Sequence, residues 1–368
     1  MIAVLHAYSD VNLGDRLLVE LTVARLGRLG IGPDDLTIVA LDPGSFDGLG
    51  RVVGFGTAGR AVSTDVATAG LRSLGTLAAT TAGRPLGEAG DVFANASGFV
   101  GVGGGYLRAG TPVEQVGVLI NHIPQLHAAG RSSAPACYLP QSIGPLNGPL
   151  GSLLRSRLRA IDQVWLRDDT SIDEVGLPNC SRLPDLAVLD VADQGVTPAD
   201  VGDTILLVAR ELGPDRPHYL AKLRSLADRL GDSARWAVQA EGATEKSDAQ
   251  FYRTLGVDPV GGTSAALVSE RPAVVVSVRL HGSIMSIAAG HPTIHLSYQR
   301  KGWAAMADLG LSEWCHDAGS FDPTLVAEQA EAIRADPTRY WAHVDAALSG
   351  LRAHSTELDE TLAQTLHL

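Results

Sequence analysis

Pro272-Ala273-Val274-Val275-Val276-Ser277-Val278-Arg279-Leu280-His281-Gly282 begins as an unbroken apolar run and ends on two ionisable side chains. Small and β-branched residues without polar alternation read as a strand buried on both faces, as in a parallel sheet. In an extended chain, residues two apart share a face, so Arg279 and His281 are expected to project together. Ligands of open α/β sheets bind at the carboxyl ends of strands, which is where this pair falls. A cation beside an imidazole suits a small, multiply charged anion.

The same reading repeats along the chain. Apolar runs at Ile2–His6, Leu36–Leu41, Val52–Phe55, Gly98–Val102, Ala134–Leu139 and Gln163–Leu166 form one series of predicted strands. Thr204–Ala209, Arg235–Val238, Ala273–Val278 and Thr293–Leu296 form a second. Helical patterns at Asp15–Leu29, Pro112–Ala129, Gly151–Ala160, Pro217–Leu230 and Ser283–Ala289 lie between them. Such alternation marks an α/β fold with parallel sheets covered by helices. The polar, turn-rich segment Asp190–Gly202 separates the two series. Two domains are therefore expected, residues 1–190 and 203–335. Residues 336–368 read as a C-terminal helix able to cross back to the first domain. Trp341, Val344, Leu348, Leu351, Leu358, Leu362 and Leu366 fall at its helical spacing. Thr57–Gly90, rich in Ala, Gly and Thr, reads as a helical or loop insertion.

Charge narrows the partners. The chain has 29 basic and 41 acidic residues, a formal charge of −12. This argues against nucleic acid or an anionic membrane surface. An anionic ligand then requires positive charge concentrated locally, and lysine occurs only at 222, 246 and 301. Cys137, Cys180 and Cys315 are odd in number, far apart and outside any CxxC or Cys/His pattern. They read as buried thiols in a reducing compartment. The first residues lack a signal-peptide pattern, and no apolar run approaches the ~18 residues of a membrane span. A cytoplasmic protein without an integral membrane segment is expected. No pattern specifies an oligomeric state.

Several loops after predicted strands carry candidate chemistry. Asn12-x-Gly14-Asp15 opens the first helix, with Asp15 placed as an N-cap or as a base for an acceptor hydroxyl. Gly103-Gly104-Gly105 lets backbone approach a ligand, or simply permits a tight crossing. It is neither GxGxxG nor a P-loop. Gln141-Ser142-Ile143-Gly144-Pro145 offers two hydrogen-bonding side chains or a turn. Trp165-Leu166-Arg167-Asp168-Asp169 ends a strand on Arg167 and then caps a helix. Arg167 is a ligand for an anion or the partner of a neighbouring Asp. Tyr298-Gln299-Arg300-Lys301 places a rare lysine in the loop beside the Arg279/His281 strand. Asp185 lies in Pro184-Asp185-Leu186-Ala187, on the approach to the linker.

In order and spacing, NxGD, GGG, QSIGP, RDxxS, PDLA, RLH and YxxK resemble the polysaccharide pyruvyltransferase family. The resemblance covers roughly residues 1–311 and is densest over Val274–Lys301. It implies two Rossmann-like domains facing across a cleft, a glycosyltransferase-B-like architecture. It also implies phosphoenolpyruvate as donor and a sugar, in a glycan repeat or lipid-linked, as acceptor. The product is a pyruvate ketal. Carried over by motif, Arg167, Arg279 and His281 are donor-site residues, with the backbone at Leu280 beside them. Lys301 matches the basic position after the tyrosine, and Asn12 and Asp15 match the N-terminal motif. Gly104, Gly105, Gln141 and Ser142 complete the expected substrate contacts.

Phosphoenolpyruvate presents a carboxylate and a phosphate, which arginine forks match. Arg279 and Arg167 are expected to share these anions, with Lys301 and amides at Gly282–Ser283 assisting. His281 is the preferred acid for the methylene carbon. Alternatively His281 binds phosphate and a carboxylate, Asp15 or Asp185, moves the protons. The chemistry requires no metal and no cofactor beyond the co-substrate. Two rivals share these features: a nucleotide-sugar glycosyltransferase of the same fold and a non-catalytic anion-binding member.

Overall fold

The computed structural model of the chain describes residues 1–9, 13–55, 87–213, 218–239 and 248–368. Asn12 and most of the Thr57–Gly90 insertion lie outside the described residues. By its contacts the chain divides into two compact units. The first comprises Met1–Asp10, Asp15–Leu186 and Thr356–Leu368; the second comprises Val11–Gly14 and Ala187–Ser355.

The first unit holds a seven-stranded sheet in the order β3-β2-β1-β4-β5-β6-β7. Its strands are β1 (Ile2–Ala7), β2 (Leu36–Ala40), β3 (Arg51–Gly54), β4 (Gly98–Gly101), β5 (Ala136–Gln141), β6 (Gln163–Leu166) and β7 (Cys180–Arg182). The second unit holds a five-stranded sheet in the order β12-β11-β10-β8-β9. Here the strands are β8 (Ile205–Val208), β9 (Ala234–Trp236), β10 (Val274–Ser277), β11 (Thr293–Ser297) and β12 (Cys315–Asp317). Every strand pair is parallel. β1, β2, β5, β8, β10 and β11 are buried along their whole length, as continuous apolar runs require. The strand order reverses between β1 and β4 in one sheet and between β8 and β10 in the other. Such reversals open a ligand crevice at the carboxyl ends of the flanking strands.

Helices cover the sheets, and their apolar faces form the cores. Ile123, Leu126, Leu154 and Leu158 pack with Phe99 and Tyr138 in the first unit. The C-terminal helix Thr338–Leu366 buries all seven apolar positions that its periodicity marks. Its end groups with the first unit, where Asp359 pairs with the buried Arg25 at 2.7 Å. Earlier in this helix, the Tyr340 hydroxyl accepts from Thr293 N and donates to Thr293 O, pinning the helix to β11. Among the described residues, no helix is long and apolar enough to cross a membrane.

Some expectations change. The helix expected over Pro112–Ala129 is two helices, Pro112–Asn121 and Ile123–Arg131, joined at His122. Pro124 accounts for the break, because proline suits a first helical turn and not an interior. β7 and β12 are additional three-residue strands at sheet edges. β10 stops at Ser277, and the next helix begins at Leu280 rather than Ser283.

Candidate functional site

That early helix start alters the geometry of the Arg-Leu-His element. Arg279 is the N-cap of the helix Leu280–Ala288, and His281 is its second residue. The two side chains are therefore set by a helix start, not by the shared face of an extended strand. Both are partly exposed, unlike the strand before them. Ser277 shapes the corner: its hydroxyl accepts from Arg279 N and donates to Arg279 O, both at 3.1 Å. Ser283 N donates to Arg279 O, so that amide is already engaged. The first-turn amides of Leu280, His281 and Gly282 are the ones that point out of the helix. A β-carbon at Gly282 would lie 2.8 Å from Gln239 Oε1, so glycine lets Gln239 approach the turn. Gly14, which groups with this unit, has the same kind of role: a β-carbon there would lie 2.1 Å from His281 Nδ1.

Lys301 belongs to the first turn of the helix Arg300–Asp308 rather than to a loop. Two cations in a first turn oppose the helix dipole, an arrangement that an anion offsets. Beneath them, buried His295 accepts from or donates to Ser283 Oγ at 2.9 Å and contacts Ser277 O at 3.0 Å. Burial lowers its pKa to about 4, with the Lys301 charge acting the same way. A cation that the motif reading missed also lies at this edge. Arg210 follows β8, and its guanidinium donates to the Tyr298 hydroxyl at 3.0 Å and lies over that ring. Arg210 and Arg279 thus follow the two strands that flank the reversal in the second sheet. The signal was available: Ile205-Leu206-Leu207-Val208-Ala209-Arg210 repeats the pattern of an apolar run ending on arginine.

In the first unit, the structure brings Gly104, Gly105, Gln141, Ser142 and Arg167 together. Gly104 bridges Gln141, Ser142 N donates to Gly104 O, and Arg167 N donates to Gln141 O. Gly103 permits the crossing, since a β-carbon there would lie 2.6 Å from Pro140 O. Ser142 is committed internally: its hydroxyl donates to Asp168 at 2.6 Å and accepts from Arg167 Nε at 3.0 Å. Asp168 caps the helix Asp169–Val175 through Ser171 N. Arg167 and Asp185 form an ion pair in which both side chains are 1% exposed. That pairing offsets the Arg167 charge. Three polar atoms remain buried without a hydrogen-bond partner: Arg167 Nη2 and both amide atoms of Gln141. Gly105 leaves space beside Arg167 Nη2, 3.6 Å from where its β-carbon would be. Asp15 is the third residue of the helix Leu13–Arg28, not its N-cap.

A further group escaped the sequence reading. His6, at the end of β1, contacts His122 and Tyr138 inside the first unit. Tyr106, just after the three glycines, stacks on His122 with ring centroids 4.7 Å apart. Burial lowers the pKa of His6 well below the usual histidine range and that of His122 to about 3. It raises those of Tyr106 and Tyr138. All four side chains are therefore neutral.

Similar architectures occur among solved structures. The UDP-GlcNAc 2-epimerase from Neisseria meningitidis bound to UDP-GlcNAc superposes with a TM-score of 0.57 at 11% identity, over 99% of this chain and 100% of that one. The UDP-GlcNAc 2-epimerase from Methanocaldococcus jannaschii gives 0.54 at 9%, over 92% and 94%. LpCGTa in complex with UDP gives 0.50 at 12%, over 100% and 99%. At these identities the likeness is one of fold: two Rossmann-like domains of the glycosyltransferase-B kind. No curated protein sequence matches the chain. The family model for polysaccharide pyruvyl transferase matches residues 12–253, which is about two thirds of the chain and stops short of the Arg-Leu-His stretch. A match of that extent identifies the chain as a member of the polysaccharide pyruvyl transferase family.

Proposed function

We propose that the protein transfers the enolpyruvyl-derived group of phosphoenolpyruvate to a pair of hydroxyls on a sugar, forming a pyruvate ketal. The observation that carries this reading is the cationic carboxyl edge of the second sheet. Arg210, Arg279 and Lys301 gather there, beside two helix starts, in a chain of net charge −12. Such an edge suits a ligand with both a carboxylate and a phosphate. The arginines take the two anions through paired hydrogen bonds, and Lys301 adds a point charge. Amides of Leu280, His281 and Gly282 add donors. Within the first unit Arg167, its charge offset by Asp185, keeps Nη2 as a hydrogen-bond donor.

In the proposed reaction, His281 delivers a proton to the methylene carbon, and positive charge develops at the neighbouring carbon. A sugar hydroxyl attacks that carbon and loses its proton to a base, with Asp15 in that role. The carbon–oxygen bond to phosphate then breaks. A second hydroxyl closes the ketal, its proton leaving with the phosphate. The sugar is held by neutral donors and acceptors in the first unit, Gln141 foremost.

The folds that this chain resembles include proteins solved with UDP or UDP-GlcNAc, which suits the alternative of nucleotide-sugar transfer. The family match favours the pyruvyl reading, because fold alone does not fix a donor. The test supplies ¹³C-labelled phosphoenolpyruvate and a glycan extract, then follows phosphate release and the ketal carbon by NMR. Acceptor-dependent phosphate release with a new ketal signal is expected. Sugar transfer from a nucleotide sugar, with phosphoenolpyruvate left unconsumed, contradicts the proposal.

A further inference from the structure

The buried His6–His122–Tyr138 chain lies at the other strand-order reversal, between β1 and β4, and no step above uses it. His6 N–H donates to Gln125 Oε1 at 2.9 Å. Its ring nitrogens face His122 Nδ1 at 3.2 Å and the Tyr138 hydroxyl at 2.8 Å. The backbone at His6 is left-handed, with φ +68°, where the register of β1 shifts between Val4 and Ala7. A bulge of this kind re-aims a side chain, and a non-glycine residue in this region marks a position that the surroundings hold firmly.

The protons in this chain can be assigned. Two nitrogens facing each other need one proton between them. If His122 Nδ1 carried it, His6 would donate from Nε2 to the Tyr138 oxygen. The Tyr138 proton would then have no acceptor among the described residues, in a fully buried position. That is the costly arrangement. In the alternative, Tyr138 O–H donates to His6 Nε2, and His6 Nδ1–H donates to His122 Nδ1. The Tyr138 and His6 protons then both have acceptors, and the proton left over sits on His122 Nε2, which is not sealed from solvent as the Tyr138 hydroxyl is. His122 must carry its own proton on Nε2, which ring geometry directs away from His6. No described residue takes that N–H. Tyr106 fixes the ring plane by stacking, and the Arg167 charge is close enough to Tyr106 to act on its hydroxyl. His122 thus stands one ring away from Arg167, whose Nη2 is orphaned.

We infer that His122 is a tautomer-locked neutral donor whose Nε2–H binds a hydroxyl oxygen of the acceptor sugar, with His6 and Tyr138 as the residues that position it. The inference deepens the reading above and rests on it for the identity of the ligand. A neutral donor suits an uncharged hydroxyl, whereas the cations of the second unit suit the donor anions.

The test uses the full chain with ¹⁵N-labelled histidine. The spectrum should show His122 protonated on Nε2 alone, with Nδ1 as acceptor. Tyr138→Phe should replace that single state by a mixture of tautomers. Titration with a panel of methyl hexosides should shift the His122 N–H resonance for at least one member, and phosphoenolpyruvate alone should leave it in place. In kinetics, His122→Phe should raise the acceptor KM roughly five- to tenfold, as loss of one hydrogen bond implies, and leave the phosphoenolpyruvate KM unchanged. His122→Gln, which restores an N–H near the same place, should recover most of the loss. A His122 Nδ1–H tautomer, or phosphoenolpyruvate moving the signal when no hexoside does, overturns the inference. Hexoside shifts without phosphate release from phosphoenolpyruvate would retain the His122 assignment and remove the pyruvyl reading instead.

Discussion

Arg279 and Arg167 are both arginines that end predicted strands, yet the structure gives them opposite surroundings. Arg279 is a partly exposed N-cap at a helix start. Arg279→Ala should therefore leave the melting temperature nearly unchanged and lower turnover roughly 100-fold or more, as loss of a charge-assisted contact to a reacting anion does. Near-normal turnover would remove Arg279 from the site. Arg167 is enclosed, with Asp185 as its ion-pair partner. Removing one member of a buried pair strands the other, so Arg167→Ala should cost about 3–5 kcal/mol in denaturant unfolding. An unfolding curve like that of the unchanged protein would contradict the structural role. For His281→Gln, loss of the general acid should change the alkaline limb of the pH–rate profile; an unchanged profile leaves His281 as a phosphate ligand only. At this scale the sequence marked polar residues after strands but not what each one engages. The sequence offered Arg167 an aspartate partner but did not say that it is Asp185, nor that Asp168 engages Ser142.

Among the elements, the helix Arg300–Asp308 carries Lys301 and begins against buried polar side chains. A β-carbon at Gly302 would lie 2.3 Å from Ser297 Oγ and 2.4 Å from His295 Nε2, both on β11. Gly302→Ala should push this helix start away from the sheet, costing about 1–3 kcal/mol by overpacking. Weaker phosphoenolpyruvate binding should accompany it, because Lys301 moves with the turn. Full stability with full binding would contradict that packing. β11 also carries a pH dependence. Burial holds the His295 pKa at about 4, below its ordinary value of 6.5. Between those values the unfolded chain binds a proton that the folded chain refuses, so stability falls as pH drops. At pH 5 this one group should cost about 2 kcal/mol, with His6 and His122 acting in the same direction. Denaturant unfolding at pH 7.5 and pH 5 checks the sign; stability that stays level would contradict it. Interior strands were legible because burial on both faces demands unbroken apolar runs. β7 and β12 were not, since Cys180-Ser181-Arg182 and Cys315-His316-Asp317 are short, polar edge strands. The break at His122 was legible in principle through Pro124, but the apolar spacing on both sides concealed it.

For the whole molecule, strand–helix alternation carried the α/β class, and the turn-rich segment after Asp190 marked two series of strands. The two compact units meet in the chain at Leu186 and Ala187. Strand order was not legible, because equivalent apolar runs do not say which neighbour each will choose. Yet strand order is what singles out β8 and β10, and so Arg210 beside Arg279. The overall charge of −12 makes that cationic edge a local exception that serves a small anion, not a polymer of phosphates. Isothermal titration of the full chain decides which donor binds, with phosphoenolpyruvate in one series and a panel of nucleotide sugars in the other. The account predicts saturable binding of phosphoenolpyruvate, weakened at least tenfold by Arg279→Ala, and no heat from the nucleotide sugars. Saturable binding of a nucleotide sugar with no response to phosphoenolpyruvate would contradict it.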